Sequence, residues 1–353
     1  MITSIRLQNF RSYKDGSFEF EPGVNIVVGP NASGKTNLLE AIVVLAHGSS
    51  YKAKDVNLMR HHASWTRLDG FFAGQERSLK LEQNDESLTK TYLINNQPFK
   101  RINLERSLPI VLFEPEHLQA ITRGPDRRRE YLDDLLERSV TGFKSLSAAY
   151  RRTLVQRNAL LKKGSLLASQ QIFAWNIRLA EHGSKIAEQR NRAVEDLNKN
   201  LAKTYSQIAG KNTKVEISYD HQMPIENYAS RMVANLEKSL NKELERGFTL
   251  FGPHREDIII KINNQPISAT ASRGEIRTML LSLKKLELAI IEQARGQKPI
   301  LLLDDVLSEL DGARRQALVD MLKDHQSILT TTDADSTLGY FFKNTNLITM
   351  SKL

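Results

Sequence analysis

The sequence predicts an α/β protein in which an α/β domain is interrupted by a mainly helical lobe. A buried-strand run at 24–28 is followed by a glycine-containing loop and by a helix pattern over 37–46. The stretch from 127 to 205 contains no proline and is rich in helix-forming residues. From residue 257 onward, strand and helix patterns alternate again. These three observations together predict the class.

The individual elements follow from local patterns. Short strands are predicted at 4–9, 17–20 and 24–28, before the helix over 37–46. Several alternating segments over 66–113, with a turn at 95–98, predict an antiparallel sheet beside this first strand–helix unit. After the helical stretch the predicted elements are a strand at 215–219, a helix over 226–246, a strand at 257–262, a helix over 275–295, a strand at 299–303, a helix over 312–324 and a strand at 327–331.

The length of 353 residues favours two domains. We expect a discontinuous head formed by residues 1–122 and 246–353. The intervening residues 123–245 are expected to form the mainly helical second lobe.

Composition limits the classes of function. Lys and Arg number 50 against 41 Asp and Glu, a net charge of +9, which favours a polyanionic partner such as nucleic acid. Cysteine is absent, which excludes disulfide scaffolds, cysteine zinc sites and thiol catalysis. No run of 18 apolar residues and no signal-peptide pattern occurs, so a soluble, cytoplasmic protein is expected.

Residues 29–36 match the phosphate-loop pattern G-x-x-x-x-G-K-[ST] and lie between a predicted strand and a predicted helix. Such a loop needs glycines so that backbone N–H groups can surround phosphate oxygens at a helix N-terminus. Lys35 is expected to reach the β- and γ-phosphates of ATP, and the Thr36 hydroxyl to bind Mg²⁺. The predicted nucleotide-binding residues are Gly29, Pro30, Asn31, Ala32, Ser33, Gly34, Lys35, Thr36 and Asn37.

A second acidic site is predicted at 304–305, directly after the apolar run 299–303. Asp304 is expected to bind Mg²⁺ through its water shell. Asp305 is expected to be the catalytic carboxylate that polarises the attacking water, with Lys35 as the other catalytic residue. The alternative is that the two carboxylates only cap the next helix.

Further segments make the pattern more specific. Residues 308–311 (SELD) resemble the D-loop of ABC-type ATPases, and 272–275 (SRGE) resemble their signature motif. The whole chain resembles the head domains of SMC-like ATPases and, more narrowly, the RecF family. The matching segments are LQNFRSY at 7–13, GPNASGKTNLLEAI at 29–42, VLFEPEHL at 111–118, RRREYLD at 127–133, FGPHRED at 251–257, SRGEIR at 272–277 and LLLDDVLSELD at 301–311.

The resemblance implies an ABC-type P-loop head, with a mixed sheet around the phosphate-loop helix, an antiparallel sheet and a helical lobe. It implies a weak, DNA-stimulated ATPase that uses Mg²⁺ and forms a homodimer on binding ATP, in which Ser272 and Gly274 close on the partner subunit's γ-phosphate. It also implies a clamp at single-strand/double-strand junctions of gapped DNA that acts in replication, recombination, repair and the SOS response, and that helps RecO and RecR to load RecA.

The chain departs from the family pattern at the signature, which usually reads S-Q-G-Q and here reads SRGE, and at the switch histidine. Glu275 stands where the signature usually has Gln, and places a carboxylate near the expected γ-phosphate, so that ATP-driven pairing is weaker or differently tuned. The switch histidine common in ABC ATPases is replaced in the run 330–333 (TTTD), where Thr332 or Asp333 is the candidate γ-phosphate sensor.

Between 138 and 180 there are 8 Lys or Arg residues and no Asp or Glu. A helical surface of one sign would bind DNA through its phosphates, without reading sequence. The alternative is a solvated helical face. Tyr150 and Trp175 are more consistent with core packing than with base stacking. The predicted DNA-binding residues are Arg151, Arg152, Arg157, Lys162 and Lys163.

Two neighbouring segments are ambiguous. Residues 127–129 (RRR) either bind DNA or form ion pairs with Glu130, Asp133 and Asp134. His254-Arg255 is interpreted as part of a structural junction, with DNA-dependent coupling as the alternative.

Two rival functions remain open at this level. An ABC ATPase subunit of a membrane transporter is disfavoured by the positive charge and by the long helical insertion. A DNA-binding scaffold with a vestigial nucleotide site is disfavoured by the intact Lys35, Thr36, Asp304 and Asp305.

Overall fold

The computed structural model describes residues 1–84, 87–163, 166–332 and 345–351, with side chains described except at 118–120 and 166–170. The strands in these ranges are β1 (Ile2–Phe10), β2 (Tyr13–Glu19), β3 (Val24–Val28), β4 (Trp65–Phe72), β5 (Gln75–Gln83), β6 (Leu88–Ile94), β7 (Gln97–Phe99), β8 (Ile110–Phe113), β9 (Val215–Asp220), β10 (Asp257–Ile262), β11 (Gln265–Pro266), β12 (Ile300–Asp304), β13 (Ser327–Thr331) and β14 (Thr345–Thr349). The helices are α1 (Lys35–His47), α2 (His117–Thr122), α3 (Pro125–Ser139), α4 (Phe143–Lys163), α5 (Leu166–Ala209), α6 (Tyr228–Lys238), α7 (Leu240–Arg246), α8 (Ile267–Thr270), α9 (Arg273–Arg295) and α10 (Gly312–Leu322).

The chain divides into two compact units. Unit 1 contains Met1–Leu118 and Glu287–Leu353, and unit 2 contains Gln119–Leu286. The expected head and lobe divide the chain at 122/123 and 245/246 instead. The segment 246–286 falls in unit 2 because β10 pairs with β9 along its whole length.

Unit 1 contains two sheets in which parallel and antiparallel pairing are segregated. The first sheet is antiparallel, in the order β2-β1-β4-β5-β6-β7. The second is parallel, in the order β14-β3-β13-β12-β8. The interpretation of 66–113 as wholly antiparallel is therefore wrong for β8, whose apolar run pairs in parallel with β12 and belongs to the second sheet.

Helix α1 lies at the centre of unit 1. It contacts β12 and β13 of the parallel sheet and β1, β4 and β5 of the antiparallel sheet. Its residues from Leu38 to Ala46 are all buried. Apart from Glu40, whose carboxylate pairs with Arg11, these residues are apolar, and an apolar helix is stable only when it is covered on every side. The same packing fixes the N-terminus of α1 at the edge of the parallel sheet.

Unit 2 is built from helices and a small antiparallel sheet. The long helices α4 and α5 pack against each other, and the sheet has the order β11-β10-β9. Buried and partly exposed residues alternate along β9 and β10, as expected for a sheet with one covered face. Helix α5 packs against β9, and α3 against β10.

Most predicted elements are present, and two differ. The helix predicted over 226–246 is interrupted at Ser239, where α6 ends and α7 begins. Strand β14, parallel to β3, has no counterpart in the predicted set. None of the helices in the described part of the chain is both long and apolar enough to cross a lipid bilayer.

Candidate nucleotide-binding site

The phosphate loop connects β3 to α1. Ala32 and Gly34 both have positive φ, at 65° and 93°. This left-handed backbone turns successive N–H groups inward, which forms an anion-binding concavity at the helix N-terminus. The N-cap residue of α1 is Gly34, and it has no side chain to cap the helix. The N–H groups of the first turn are therefore available to an anion.

Gly29 begins this loop where other atoms approach closely. A Cβ atom at Gly29 would lie 2.7 Å from Ser33 Oγ and 2.8 Å from the carbonyl oxygen of Met350. Only glycine fits at this contact. The hydroxyl of Ser33 is buried and, among the described residues, has no hydrogen-bond partner. An unpaired buried hydroxyl inside the loop fits a site that a polar ligand completes.

Lys35 is the first residue of α1. Its ammonium donates hydrogen bonds to the carbonyl oxygens of Gly29 (2.6 Å) and Pro30 (2.9 Å). Burial lowers the pKa of Lys35, and the carboxylates of Asp305 and Asp304 partly offset this effect. Its hydrogen-bond acceptors are neutral carbonyl oxygens, so an incoming phosphate would offer it stronger, charge-assisted bonds.

The structure brings Thr36 and Asp304 together, although 268 residues separate them. The Thr36 hydroxyl lies 2.7 Å and 3.0 Å from the two carboxylate oxygens of Asp304. Asp304 ends β12, and Thr36 follows the loop after β3, at the same edge of one parallel sheet. Thr330 on β13 also donates to Asp304, at 2.7 Å. A hydroxyl and a carboxylate at this edge are the two protein oxygens that Mg²⁺ with nucleotide phosphates would require.

Asp305 adopts an uncommon backbone conformation, with φ at 50°. Its N–H donates to the carbonyl oxygen (3.2 Å) and the hydroxyl (3.0 Å) of Thr330, which hold it in place. Partial burial raises the pKa of Asp305, and the Lys35 ammonium opposes this shift. Left-handed backbone at a non-glycine residue has an energetic cost and often occurs at functional sites.

Three residues that sequence reasoning missed join this site. Lys52 Nζ lies 2.7 Å from Glu114 and 3.9 Å from Asp304, so its charge faces both carboxylates. The Tyr51 hydroxyl donates to Glu114 at 3.2 Å. Glu114 directly follows β8, which neighbours β12 in the sheet. The available signal was positional, because polar residues at the carboxyl ends of adjacent parallel strands meet at one edge.

The signature segment lies in unit 2, at the start of α9. Ser272 and Glu275 form a capping box: the Ser272 N–H (2.9 Å) and hydroxyl (2.8 Å) donate to the Glu275 carboxylate, and the Glu275 N–H donates to the Ser272 hydroxyl at 3.2 Å. Gly274 lies within the same first turn. The Glu275 carboxylate thus engages the Ser272 hydroxyl, the group that is expected from the sequence to close on a partner's γ-phosphate.

The structure also describes the predicted nucleotide-binding residues Asn31 and Asn37 and one of the two candidate γ-phosphate sensors. Asn31 is exposed in the loop, and Asn37 donates from its side chain to the Ser12 hydroxyl at 2.8 Å. Thr332 is exposed directly after β13. The other candidate sensor, Asp333, lies outside the described residues.

One predicted DNA contact is wrong. Arg157 is fully buried, and its guanidinium donates to Asn176 (2.7 Å), Thr249 (2.8 Å) and Glu243 (2.6 Å). A side chain saturated by interior partners cannot neutralise a surface phosphate. The other four predicted DNA-binding residues have exposed side chains: Arg151, Arg152, Lys162 and Lys163.

Neighbouring aromatic and basic residues show which interpretations hold. Tyr150 is buried and hydrogen-bonded to His254, which confirms core packing, whereas Trp175 is half-buried beneath Arg178. The basic run at 127–129 forms ion pairs inside unit 2. Its pairs are Arg127 with Glu130, Arg128 with Asp257 and Arg129 with Asp126.

Comparison with known proteins gives one consistent answer. The model of the RecF/RecN/SMC N terminal domain family matches residues 1–338. The chain is 35% identical over 344 residues to the DNA replication and repair protein RecF of Desulfitobacterium hafniense, covering 95% of this chain and 94% of that protein. It is 34% identical to the same-named protein of Heliobacterium modesticaldum, covering 94% and 92%.

Solved structures agree with this result. A structure of the recombination mediator protein RecF-ATPrS in the RecFOR pathway is similar with a TM-score of 0.87, at 33% identity over 95% of this chain and 93% of that chain. An Smc head bound to the C-winged helix domain of ScpA is similar with a TM-score of 0.54, at 16% identity over 96% and 91%, and shows the fold alone. The fold class is confirmed as an ABC-type ATPase head with a helical lobe, and the chain belongs to the RecF family.

Proposed function

We propose that this protein is an ATP-hydrolysing, DNA-binding dimer that acts in DNA replication and recombinational repair. The observation that carries the proposal is the meeting of Thr36 and Asp304 beside Lys35 and Asp305 in a RecF-family chain. Residues from two segments that are 268 positions apart in the sequence converge at the N-terminus of α1. A vestigial site would have no reason to keep all four groups in place.

Each group has a distinct role in this proposal. Backbone N–H groups of the loop and the Lys35 ammonium bind the β- and γ-phosphates of ATP. Thr36 and Asp304 hold Mg²⁺, which neutralises charge on the transferring phosphoryl group. Asp305 orients the attacking water and accepts its proton, and partial burial, which raises the pKa of this carboxyl above its ordinary value, makes it a stronger base.

Dimer formation would couple nucleotide state to DNA binding. Ser272 and Gly274 of one subunit would close on the γ-phosphate bound by the other, so that the dimer persists while ATP is intact. Hydrolysis removes that contact and releases the clamp. By family resemblance the clamp would act at single-strand/double-strand junctions of gapped DNA, with RecR and RecO, to promote RecA loading. The exposed cations of unit 2 supply the positive charge that such a clamp needs.

Analytical ultracentrifugation with ATP, with ADP and with each plus gapped duplex DNA tests this proposal. We expect a dimer with ATP, a monomer with ADP, and co-sedimentation with DNA that depends on ATP. The matched variant is Asp305→Asn, which should bind ATP and dimerise while hydrolysing ATP about 100-fold or more slowly. Its dimer should therefore outlive that of the unaltered chain.

Other outcomes would favour one of the two rival functions. An ATP-independent DNA complex with no hydrolysis would favour the vestigial scaffold. Absence of DNA binding, with a membrane permease recovered as the partner, would favour the transporter subunit.

A further inference from the structure

The turn at 252–256 in unit 2, directly before β10, is held in place by buried polar side chains. Glu256 is buried and accepts hydrogen bonds from the hydroxyls of Tyr219 and Tyr228 and from the Gln222 N–H. The Arg190 guanidinium, itself paired with Asp133, donates to the Pro253 carbonyl oxygen at 2.7 Å. Satisfied buried polar networks rigidify the segment that they hold.

Contacts among Gly252, Tyr150 and His254 fix the first part of the turn. Gly252 has φ at 127°, and a Cβ there would lie 2.6 Å from the Tyr150 hydroxyl. That hydroxyl is hydrogen-bonded to His254 Nδ1 at 2.7 Å. Burial lowers the pKa of His254 to about 4, so its imidazole is neutral at physiological pH. The exposed positive charge of this turn therefore belongs to Arg255.

Arg255 is exposed at the top of this rigid turn, and its guanidinium is oriented by neutral groups. Its Nε donates to the Thr249 carbonyl oxygen at 3.2 Å, and its guanidinium carbon lies 4.7 Å from the centre of the Phe248 ring. Among the described residues no carboxylate pairs with it. An arginine held in one orientation with its outer N–H groups unpaired is suited to binding a phosphate.

Two more exposed cations adjoin this residue. Lys162, in the last turn of α4, packs beside Gly247: a Cβ there would lie 3.3 Å from Lys162 Cγ. Arg246 ends α7, two residues before Phe248. Neither forms an ion pair within the described ranges, and the exposed acidic neighbour on α7 is Glu245. We call Lys162, Arg246 and Arg255 the basic patch.

We propose that the basic patch binds the phosphodiester backbone of DNA. The inference rests on the proposed function and assigns its DNA contact to particular residues. Arg255 lies over the Phe248 ring, Lys162 packs beside Gly247, and Arg246 precedes Gly247, so the three cations adjoin the segment 246–248 and can contact phosphates of a continuous polyanion. The basic patch includes Lys162, which is one of the DNA contacts predicted from the sequence. Arg151, another predicted contact, already has a carboxylate partner, because it lies 3.8 Å from Glu137.

The test is a salt titration of DNA affinity, with ATP present, on the full-length protein. The variant carries Lys162→Gln, Arg246→Gln and Arg255→Gln. Its matched control carries Arg192→Gln, Lys203→Gln and Lys211→Gln, which remove the same charge from exposed positions. Lys203 lies about 55 Å along α5 from Leu166, where that helix begins near Lys162. Both variants should melt with the unaltered chain, because all six side chains are exposed.

For the basic-patch variant, the slope of log affinity against log salt should flatten by about 0.9 per lost contact, or roughly 2.7 in total. The control should keep the slope of the unaltered chain. Two duplexes of unrelated sequence should lose affinity equally, because phosphate contacts carry no sequence information. Arg255→Lys alone should keep the slope and weaken binding, since lysine cannot present the planar pair of donors.

Parallel slopes for the unaltered chain and the basic-patch variant would overturn this inference and leave the proposed function standing. An equal flattening in the control would also overturn it, because the effect would then follow net charge alone. Failure of the unaltered chain to bind DNA at all would overturn the DNA-binding function itself.

Discussion

Lys35 and Arg157 are buried cations in different units of the chain, and their hydrogen-bond partners differ in charge. Lys35 in unit 1 is 8% exposed and donates to two neutral carbonyl oxygens. Arg157 in unit 2 is fully buried and donates to the Glu243 carboxylate, the Thr249 hydroxyl and the Asn176 side-chain oxygen. A cation with neutral acceptors can exchange them for a phosphate, whereas one neutralised by a carboxylate is part of the fold. For this pair of residues, the charge of the partner distinguishes the proposed phosphate-binding cation from the structural one.

Among the variants that test this comparison, Arg157→Ala should have the largest effect, a loss of folding stability. Removing the guanidinium leaves the Glu243 carboxylate buried without its counter-charge, which costs about 3–5 kcal/mol of folding stability. Urea unfolding measures the loss. Arg152→Ala, on the exposed face of the same helix, is the control and should change stability by no more than about 0.5 kcal/mol. A loss at Arg157 as small as that at Arg152 would contradict the structural interpretation.

Lys35→Ala should instead lower the affinity for ATP more than it lowers folding stability. ATP affinity should fall about 10- to 100-fold, because a hydrogen bond to a charged group contributes about 1.5–3 kcal/mol. Folding stability should fall less than in Arg157→Ala, since no buried carboxylate loses its partner. Equilibrium binding of a fluorescent ATP analogue gives the affinity, and exposed Lys14→Ala is the matched control. Unchanged ATP affinity would remove Lys35 from the site.

Glu275→Gln should have the smallest effect, a change in the stability of the ATP-dependent dimer. It tests whether a charge at the signature segment opposes pairing. The change keeps an acceptor for the Ser272 capping box and removes the negative charge beside it. Relief of a partly exposed repulsion should tighten the ATP-dependent dimer about 1.5- to 5-fold. Sedimentation equilibrium with ATP measures the dimer constant, with exposed Glu237→Gln as the control. A weaker dimer would show that the carboxylate supports pairing instead.

Local patterns predicted the elements of the nucleotide site well. Strand β3, helix α1, strand β12 and the loop between 29 and 36 follow from short apolar runs and from glycine placement, which depend on neighbours in sequence. The convergence of Thr36 and Asp304 could be anticipated because a parallel sheet aligns the ends of its strands. Glu114 could have been assigned to the site only from its position after β8, which neighbours β12, and Lys52 stands in no distinctive local pattern.

The basic stretch of unit 2 was predicted less well. A run of cations without acids between 138 and 180 indicates a positive surface, but a single sign of charge does not distinguish the faces of a helix. Arg157 is buried against the Glu243 carboxylate, which local patterns could not reveal because it is 86 residues away in the sequence. Arg255 lies outside that run and joins Lys162 only through the packing of Gly247 and Phe248.

The sequence by itself determined the fold class, the phosphate loop and the acidic strand end, because each depends on the chemistry and spacing of adjacent residues. Tertiary structure alone decided which cations are buried, which carboxylates meet at the sheet edge, and that β10 joins unit 2. These outcomes depend on contacts between residues far apart in the chain, and the free energy of burying a charge is set by partners that only the folded chain brings together.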